Sequence, residues 1–380
     1  MATKPSIFSS PSRYVQGQNA INELGTYLKQ LGTNPLLLAD DTVWGLVEKP
    51  LTDGFESEDL PVNRIEFEGF ATAKRVDDLV ATIKEHDHDV VVGLGGGAAI
   101  DSAKAAGYEA GIRWASVPTA ASSDAPTSTL SVINTDKGSF DEYRFFPRNP
   151  DLVLIDTQLV AGAPERFLIA GIGDALATWV EARAAAKGNG TTMNGGHPTR
   201  AGAALAELCW DILRNDAFAA LDAVRAGVVT PALDAVVEAN TLLSGLGFES
   251  GGLAAAHAIH DGLSAAEQTH GLQHGQKVNI GTIAQLIMEG ADTDELEDFI
   301  EFTTRVGLPT TLTEVGISPD DTDTLEEIAK AACTEDETIH NMPFPVEPHQ
   351  VVEALQVLET TSRRVREERG LPEPKLYVAD

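Results

Sequence analysis

Four histidines lie close together near the middle of the second half of the chain: His257, His260, His270 and His274. His257 and His260 are three residues apart in a run of small and apolar residues, so on a helix both would face one side. Neutral imidazole is a strong ligand for zinc and related metals. The spacing therefore indicates a metal site. It does not decide which rings bind, and an ordinary core or surface role stays open for each.

A second segment with chemical potential is rich in glycine and contains Gly96 and Gly97, after an apolar run and before a helical pattern. Adjacent glycines let the backbone approach a pyrophosphate, and the N-terminus of the following helix offers unpaired N–H groups. The spacing differs from the GxGxxG fingerprint, so a purely structural turn is an alternative. Asp101 falls in the predicted first helical turn, where it either contacts the cofactor or caps the helix.

Two further segments could contact a dinucleotide. Asp40 ends an apolar run, and a carboxylate there can accept hydrogen bonds from a ribose diol while repelling a 2′-phosphate, which favours NAD over NADP. Asp41 is the rival for this role, and a plain strand-end turn is the alternative. The loop 118–128 is rich in hydroxyl groups that could bind ribose, phosphate or the nicotinamide amide, although ordinary loops share this composition.

These residues need elements that position them, and the two parts of the chain differ in pattern. Apolar runs of four or five residues, typical of strands buried on both faces of a parallel sheet, occur at 36–39, 89–93, 114–118 and 152–156. Helical patterns lie between them, as in 76–85, and dominate after about residue 164. The sequence predicts a Rossmann-like α/β domain over 1–162 and an all-α domain over 163–380.

The formal net charge of −31 is extreme. Such a surface repels phosphate, which argues against nucleic acid as a partner. The densest acidic stretches, 289–301 and 320–327, also carry apolar residues at helical spacing, which indicates solvated faces of folded helices. Because screening by salt relieves this repulsion, we expect a protein from a halophile with a high-salt cytoplasm.

Other features of the chain favour a cytoplasmic location. It has no apolar run of the roughly 18 residues that a membrane span needs, and its first residues do not read as a secretion signal. Cys209 and Cys333 are far apart and form no CxxC pattern, so we interpret them as thiols in a reducing compartment.

Several motifs together resemble the glycerol dehydrogenases of the iron-containing (group III) alcohol dehydrogenase superfamily. The resemblance covers nearly the whole chain, and its motifs are at 10–17, 95–101, 123–128, 173–179, 248–260 and 274–275. It implies the dehydroquinate synthase-like fold, a homo-oligomer and a reaction in which glycerol is oxidised at C2 to dihydroxyacetone, reversibly, with hydride transfer to NAD⁺.

The resemblance also implies site residues. It implies a catalytic zinc on Asp174, His257 and His274, and nothing in the spacing alone recruits Asp174. Beside Gly96 and Asp101 of the glycine segment, the NAD contacts it implies are Asp40, Gly97, Thr119, Ser122, Ser128 and Leu130. At the substrate it implies Asp124, Phe248 and His257, with Asp124, His257 and His260 as the catalytic group. In that group Asp124 orients the hydroxyls or takes the first proton, and His260 supports the site or the proton path.

Four further positions bear on this resemblance. Iron-dependent relatives carry a histidine four residues after the metal aspartate, and Thr178 stands there, as in the zinc-using branch. Ala98, Asn134 and Asp261 stand where relatives often carry lysine, tyrosine and asparagine. The alternatives within the superfamily are a glycerol-1-phosphate dehydrogenase, whose substrate needs a cationic site, and a propane-1,2-diol dehydrogenase. A non-catalytic sensor that binds NAD and metal is the alternative from another class.

Overall fold

The computed structural model of the chain describes residues 4–138 and 140–377, which form two compact units. An α/β unit comprises residues 9–165 and 219–245. A helical unit comprises the described residues of 1–8, 166–218 and 246–380. The α/β unit with a parallel sheet and the helical region that follows confirm the predicted fold class.

The α/β unit is built on a six-stranded parallel sheet with the strand order β1-β8-β5-β4-β2-β3. The bounds of its strands are β1 Tyr14–Gly17, β2 Pro35–Ala39, β3 Asn63–Glu66, β4 Val90–Gly95, β5 Arg113–Pro118 and β8 Leu152–Asp156. A separate antiparallel hairpin pairs β6 Leu130–Asn134 with β7 Phe140–Phe145.

The four predicted apolar runs form the interior of this sheet. Strands β2, β4 and β8 are buried along their whole length, and β5 is exposed only at Arg113. The edge strands β1 and β3 are half-buried and carry polar residues, which explains why apolar runs did not predict them. Because β2 and β4 are neighbours, with Leu38 opposite Gly93, the end of β2 lies beside the glycine turn.

Helices fill the rest of the chain. Their bounds are α1 Leu24–Leu28, α2 Asp41–Ser57, α3 Ala73–Glu85, α4 Gly97–Ala110, α5 Thr157–Gly162, α6 Glu165–Gly188, α7 Arg200–Ala226, α8 Pro231–Glu238, α9 Ser244–Gly251, α10 Ala255–Ser264, α11 His274–Glu289, α12 Thr293–Val306, α13 Thr322–Ala332 and α14 Pro348–Glu368. A π-helical turn, Ala239–Leu243, joins α8 to α9. None of these helices, within the residues described, is long and apolar enough to cross a membrane.

The acidic stretches lie on helices with one buried face, as predicted. In α12, Phe299 and Ile300 are buried while Asp294 and Asp298 are exposed. In α13, Leu325 and Ile328 are buried while the intervening Glu326 and Glu327 are exposed. The charge is therefore carried by solvated faces of packed helices.

Candidate metal centre

Three helices of the helical unit bring one carboxylate and two imidazoles together. Asp174 lies within α6, His257 is the third residue of α10, and His274 is the first residue of α11. Asp174 Oδ1 is 3.3 Å from His257 Nε2 and 3.0 Å from His274 Nε2. The three potential ligand atoms all lie within 4.8 Å of one another.

These separations fit a metal ion. Two ligand atoms that each lie about 2.0–2.1 Å from a tetrahedral centre are about 3.3 Å apart, close to both measured distances. One oxygen and two neutral nitrogens form a donor set that zinc and other divalent transition metals accept. Three protein ligands leave a coordination position for a substrate, which distinguishes a catalytic from a structural site.

Close backbone packing sets the positions of the three ligands. A Cβ atom on Gly275, next to His274, would meet the carbonyl oxygen of Ala170 in α6 at 1.8 Å and the nitrogen of Asp174 at 2.8 Å. A Cβ on Gly281 would meet the Ala256 carbonyl oxygen of α10 at 2.2 Å. Because only glycine permits such approaches, α11 contacts α6 and α10 directly at the level of the ligands.

The second nitrogen of each ring is also engaged. His257 Nδ1 lies 2.5 Å from Glu181 Oε2. His274 Nδ1 lies 2.9 Å from His260 Nε2, and His260 Nδ1 lies 2.9 Å from Asp261 Oδ1. A carboxylate only accepts hydrogen bonds, so the ring nitrogen facing it carries the proton. Both His257 and His274 are thus held with a proton on Nδ1, which leaves Nε2 as the ring atom that would bind a metal when the ion displaces the proton facing Asp174.

The ionisation of the group reflects these contacts. Burial alone would lower the pKa of His257, but Glu181 and Asp174 outweigh burial and raise it well above 6.5. Burial would raise the pKa of Asp174, but His274 and His257 lower it below its usual range. Burial and the neighbouring His274 lower the pKa of His260 to about 3, so His260 is neutral at physiological pH.

The structure separates the four histidines of the sequence pattern. His260 contacts His274 but is not in the three-residue group, and His270 is exposed at the end of a short 3₁₀ turn. Glu181 was not anticipated. It lies seven residues after Asp174 on α6, two helical turns along the same face, so the helical spacing contained a signal for it.

In the α/β unit, the glycine turn has the backbone that its sequence requires. Gly95 has φ +130°, a conformation that favours glycine, and it ends β4. Gly96 precedes α4 and Gly97 begins it, and a Cβ on either would meet no atom within 4 Å. The backbone of this turn is therefore open to a ligand at the N-terminus of α4.

Asp40 and Asp41 have different surroundings. Asp40 caps α2 by accepting a hydrogen bond from the Val43 N–H at 2.8 Å, and its Oδ2 lies 3.8 Å from the position of a Cβ on Gly95. Asp41 is paired with Arg64 at 2.6 Å. The carboxylate beside the glycine turn is thus Asp40, which favours it over Asp41 as the ribose contact.

Asp101 does not cap α4, so that alternative is wrong: the helix begins at Gly97, and Asp101 lies in its second turn. The Asp101 carboxylate pairs with the fully buried Lys104 at 3.1 Å and accepts a hydrogen bond from the Val132 N–H at 3.2 Å. Lys104 Nζ also donates to Ser128 Oγ at 3.3 Å and to the Leu130 carbonyl. Lys104 therefore ties two of the predicted cofactor contacts to α4.

Three further predicted cofactor and substrate residues also lie in the α/β unit, and Phe248 in the helical unit. Thr119 and Ser122 are half-buried after the end of β5. Asp124 is 7% exposed and accepts a hydrogen bond from Ser244 Oγ at 2.6 Å. Phe248 is buried in α9. The cofactor and substrate contacts of these residues stay predictions.

Comparisons with known proteins agree with this fold. Residues 11–157 match the model of the iron-containing alcohol dehydrogenase family. The chain is 48% identical to a glycolaldehyde reductase of Halobacterium salinarum, over 95% of this chain and 99% of that protein. It is 46% identical to a glycerol dehydrogenase of Citrobacter freundii, over 92% of this chain and 96% of that protein. The crystal structure of the glycerol dehydrogenase of Schizosaccharomyces pombe superposes with a TM-score of 0.94 at 40% identity, covering 98% of this chain and 95% of that one.

The chain belongs to the iron-containing alcohol dehydrogenase family and is an oxidoreductase. The similarity to glycerol dehydrogenases extends over nearly the full length of both proteins, which confirms the resemblance found in the sequence motifs.

Proposed function

We propose that the protein oxidises glycerol at C2, transferring hydride to NAD⁺ and releasing a proton, to give dihydroxyacetone and NADH in a reversible reaction. The observation that carries this proposal is the convergence of Asp174, His257 and His274 in a chain of this family. We assign the three side chains to a divalent metal. Thr178, in place of the histidine of iron-dependent relatives, favours zinc.

The reaction requires loss of a proton and a hydride from a secondary alcohol, whose hydroxyl is a very weak acid. When bound, a divalent metal supplies Lewis acidity that lowers the pKa of a coordinated hydroxyl. Ser244 holds Asp124 Oδ2 at 2.6 Å, which suits Asp124 to orient a substrate hydroxyl or accept its proton. Both ring nitrogens of His260 are engaged, which favours a positioning role for this residue.

The glycine turn and Asp40 support NAD as the cofactor. The open backbone at Gly96 and Gly97 suits a pyrophosphate, and the adjacent Asp40 carboxylate can accept hydrogen bonds from a ribose diol. The same carboxylate would repel a 2′-phosphate. We therefore expect a preference for NAD⁺ over NADP⁺.

A second candidate reaction is the reduction of glycolaldehyde by NADH and a proton to give ethylene glycol. This second candidate is supported by the 48% identity of the chain to a glycolaldehyde reductase, over almost the full length of both proteins. Glycolaldehyde and glycerol share two oxygens on adjacent carbons, so one metal centre could orient either compound.

A substrate panel tests the proposal. Glycerol, propane-1,2-diol and glycerol 1-phosphate would be supplied with NAD⁺ or NADP⁺, and glycolaldehyde and dihydroxyacetone with NADH, across KCl concentrations, following absorbance of the reduced cofactor. We expect glycerol to be oxidised with NAD⁺. A clear preference for glycerol 1-phosphate would replace the proposed substrate, and a preference for glycolaldehyde would select the second candidate.

The metal assignment is tested in parallel. His257→Ala should lose both bound metal, measured by mass spectrometry of the elements, and cofactor reduction. His270→Ala is the matched control, because His270 belongs to the same sequence cluster but is exposed and outside the three-residue group. A chelator should abolish activity and zinc should restore it. Full glycerol oxidation after chelation, or in His257→Ala, would contradict the metal centre.

A further inference from the structure

Asp174 and Glu181 approach the same imidazole from its two sides. They lie on one face of α6, and both carboxylates are buried, with side chains at most 1% exposed. His257 Nε2 faces Asp174 Oδ1 at 3.3 Å and His257 Nδ1 faces Glu181 Oε2 at 2.5 Å. The ring of His257 is thus oriented from both ends by the same helix.

The second oxygen of Glu181 binds the start of the helix that carries His257. Glu181 Oε1 accepts hydrogen bonds from the backbone N–H groups of Ala254 at 2.8 Å and His257 at 3.0 Å. The residue preceding α10 is Ala254, whose side chain has no acceptor for these N–H groups. The Glu181 carboxylate of α6 therefore takes the place of a capping side chain at the start of α10.

Gln285 of α11 completes this cap. Its Oε1 accepts hydrogen bonds from the N–H groups of Ala255 and Ala256, both at 2.9 Å. Glu181 and Gln285 together engage the four consecutive N–H groups from Ala254 to His257. They differ in one respect: Glu181 also contacts the ring of His257, and Gln285 contacts the backbone and Glu289 instead.

We propose that Glu181 is a positioning residue of the metal centre, a role that rests on the metal assignment of the proposed function. One oxygen fixes where α10 begins, and the other holds the proton on His257 Nδ1. Nε2 is then the ring atom left to bind the metal, at a position that the start of α10 also determines. Partners of this kind fix the tautomer and orientation of a ligand histidine and increase its basicity.

In Glu181→Gln, an NH₂ group replaces one of the two carboxylate oxygens. In one orientation this NH₂ group faces the ring N–H of His257, and in the other it faces the two backbone N–H groups. In both orientations a hydrogen-bond donor faces another donor. Gln285→Ala is the matched control, because it removes two capping hydrogen bonds without touching an imidazole.

The test measures binding of Zn²⁺ by competition with a chromophoric chelator, alongside the melting temperature of the metal-free protein. We expect Glu181→Gln to bind Zn²⁺ roughly 10- to 100-fold more weakly than the wild type. Gln285→Ala should lower the melting temperature and keep Zn²⁺ affinity within about threefold of wild type. Equal Zn²⁺ affinity in Glu181→Gln and Gln285→Ala would overturn the assignment.

A second measurement needs no variant. Histidine-selective ¹⁵N spectra of the zinc-loaded wild type should show His257 protonated at Nδ1 and coordinated through Nε2. Coordination through Nδ1 would overturn the role of Glu181 even if Glu181→Gln failed to fold. A wild-type protein that bound no Zn²⁺ or other divalent metal would instead refute the metal centre of the proposed function.

Discussion

His260 lies between Asp261 and His274, with one ring nitrogen 2.9 Å from each. The contact with Asp261 places the His260 proton on Nδ1, so His260 Nε2 accepts the Nδ1–H of His274. Asp261, acting through His260, therefore holds the proton on His274 Nδ1, as Glu181 holds it directly on His257 Nδ1.

This chain predicts unequal effects of two substitutions. Asp261→Asn retains a carbonyl oxygen that can accept from His260, so retention of zinc against a chelator should change by no more than about threefold. His260→Ala leaves His274 Nδ1 without this partner and should weaken zinc retention roughly 10- to 100-fold. Zinc content after dialysis against graded chelator measures both. Similar losses in the two variants would show that the charge of Asp261, rather than its acceptor oxygen, matters.

The buried ion pair of Lys104 and Asp101 should be important for stability. Lys104→Met leaves a buried carboxylate without its cation and removes donors from two carbonyls, so we expect a loss of about 3–5 kcal/mol in the free energy of unfolding. Urea denaturation measures this loss. Adding Asp101→Asn should recover part of it, because the uncompensated charge is removed.

Lys74→Met serves as the matched control. Lys74 is paired with Asp78 on an exposed helical face, so its loss should change the free energy of unfolding little. Equal costs for Lys74→Met and Lys104→Met would contradict a structural role for the buried pair.

Glu337 should make stability depend on pH. Burial and the nearby Asp261 raise the pKa of Glu337 from its ordinary value of 4.5 to about 7. The folded state then holds a proton that the unfolded state has lost, so this contribution is full below pH 4.5 and is lost as the pH rises through about 7. In metal-free protein, Glu337→Gln should reduce the fall in unfolding free energy over this window by about 1–2 kcal/mol, allowing for partial exposure.

Urea titrations at pH 5 and pH 7.5 measure that difference. Glu335→Gln, at an exposed neighbouring position, should leave the pH dependence as in the wild type. An unchanged pH dependence in Glu337→Gln would show that Glu337 is solvated and ionised throughout.

Salt should stabilise this protein. The net charge of −31 produces repulsion that is screened at molar KCl, where the Debye length is about 3 Å. Surface ion pairs such as Lys49–Asp53 and Lys330–Glu326 weaken under the same conditions, but exposed pairs contribute little. We expect the melting temperature to rise with KCl, by about 1 °C for each kcal/mol gained in a chain of this length. A fall would contradict the high-salt interpretation.

The sequence predicted the interior of the fold better than its edges. Continuous apolar runs identified four strands because those strands are buried on both faces. The hairpin β6–β7 was not predicted, since most of β7 is exposed and its side chains carry no burial pattern. Nor could a helical pattern show that residues 219–245 pack with the α/β unit, because periodicity gives a buried face without its partner.

The residues of the candidate site were likewise predictable only in part. Spacing predicted a histidine cluster, since His257 and His260 share a helix, but Asp174 lies more than eighty residues earlier and came only from family resemblance. Glu181 could have been inferred from its spacing to Asp174. The contact between His260 and His274 could not, because it depends on how α10 and α11 pack.

The glycine contacts at Gly275 and Gly281 have a consequence for how a metal would be captured. Where helices touch through backbone atoms, no side-chain rotamers lie between them to be rearranged. The conformational entropy lost in bringing the three ligands together is then lost when the chain folds. Little further conformational entropy is lost when the metal binds. Such a preorganised site should release and recapture its ion without local unfolding of the helices that carry the ligands.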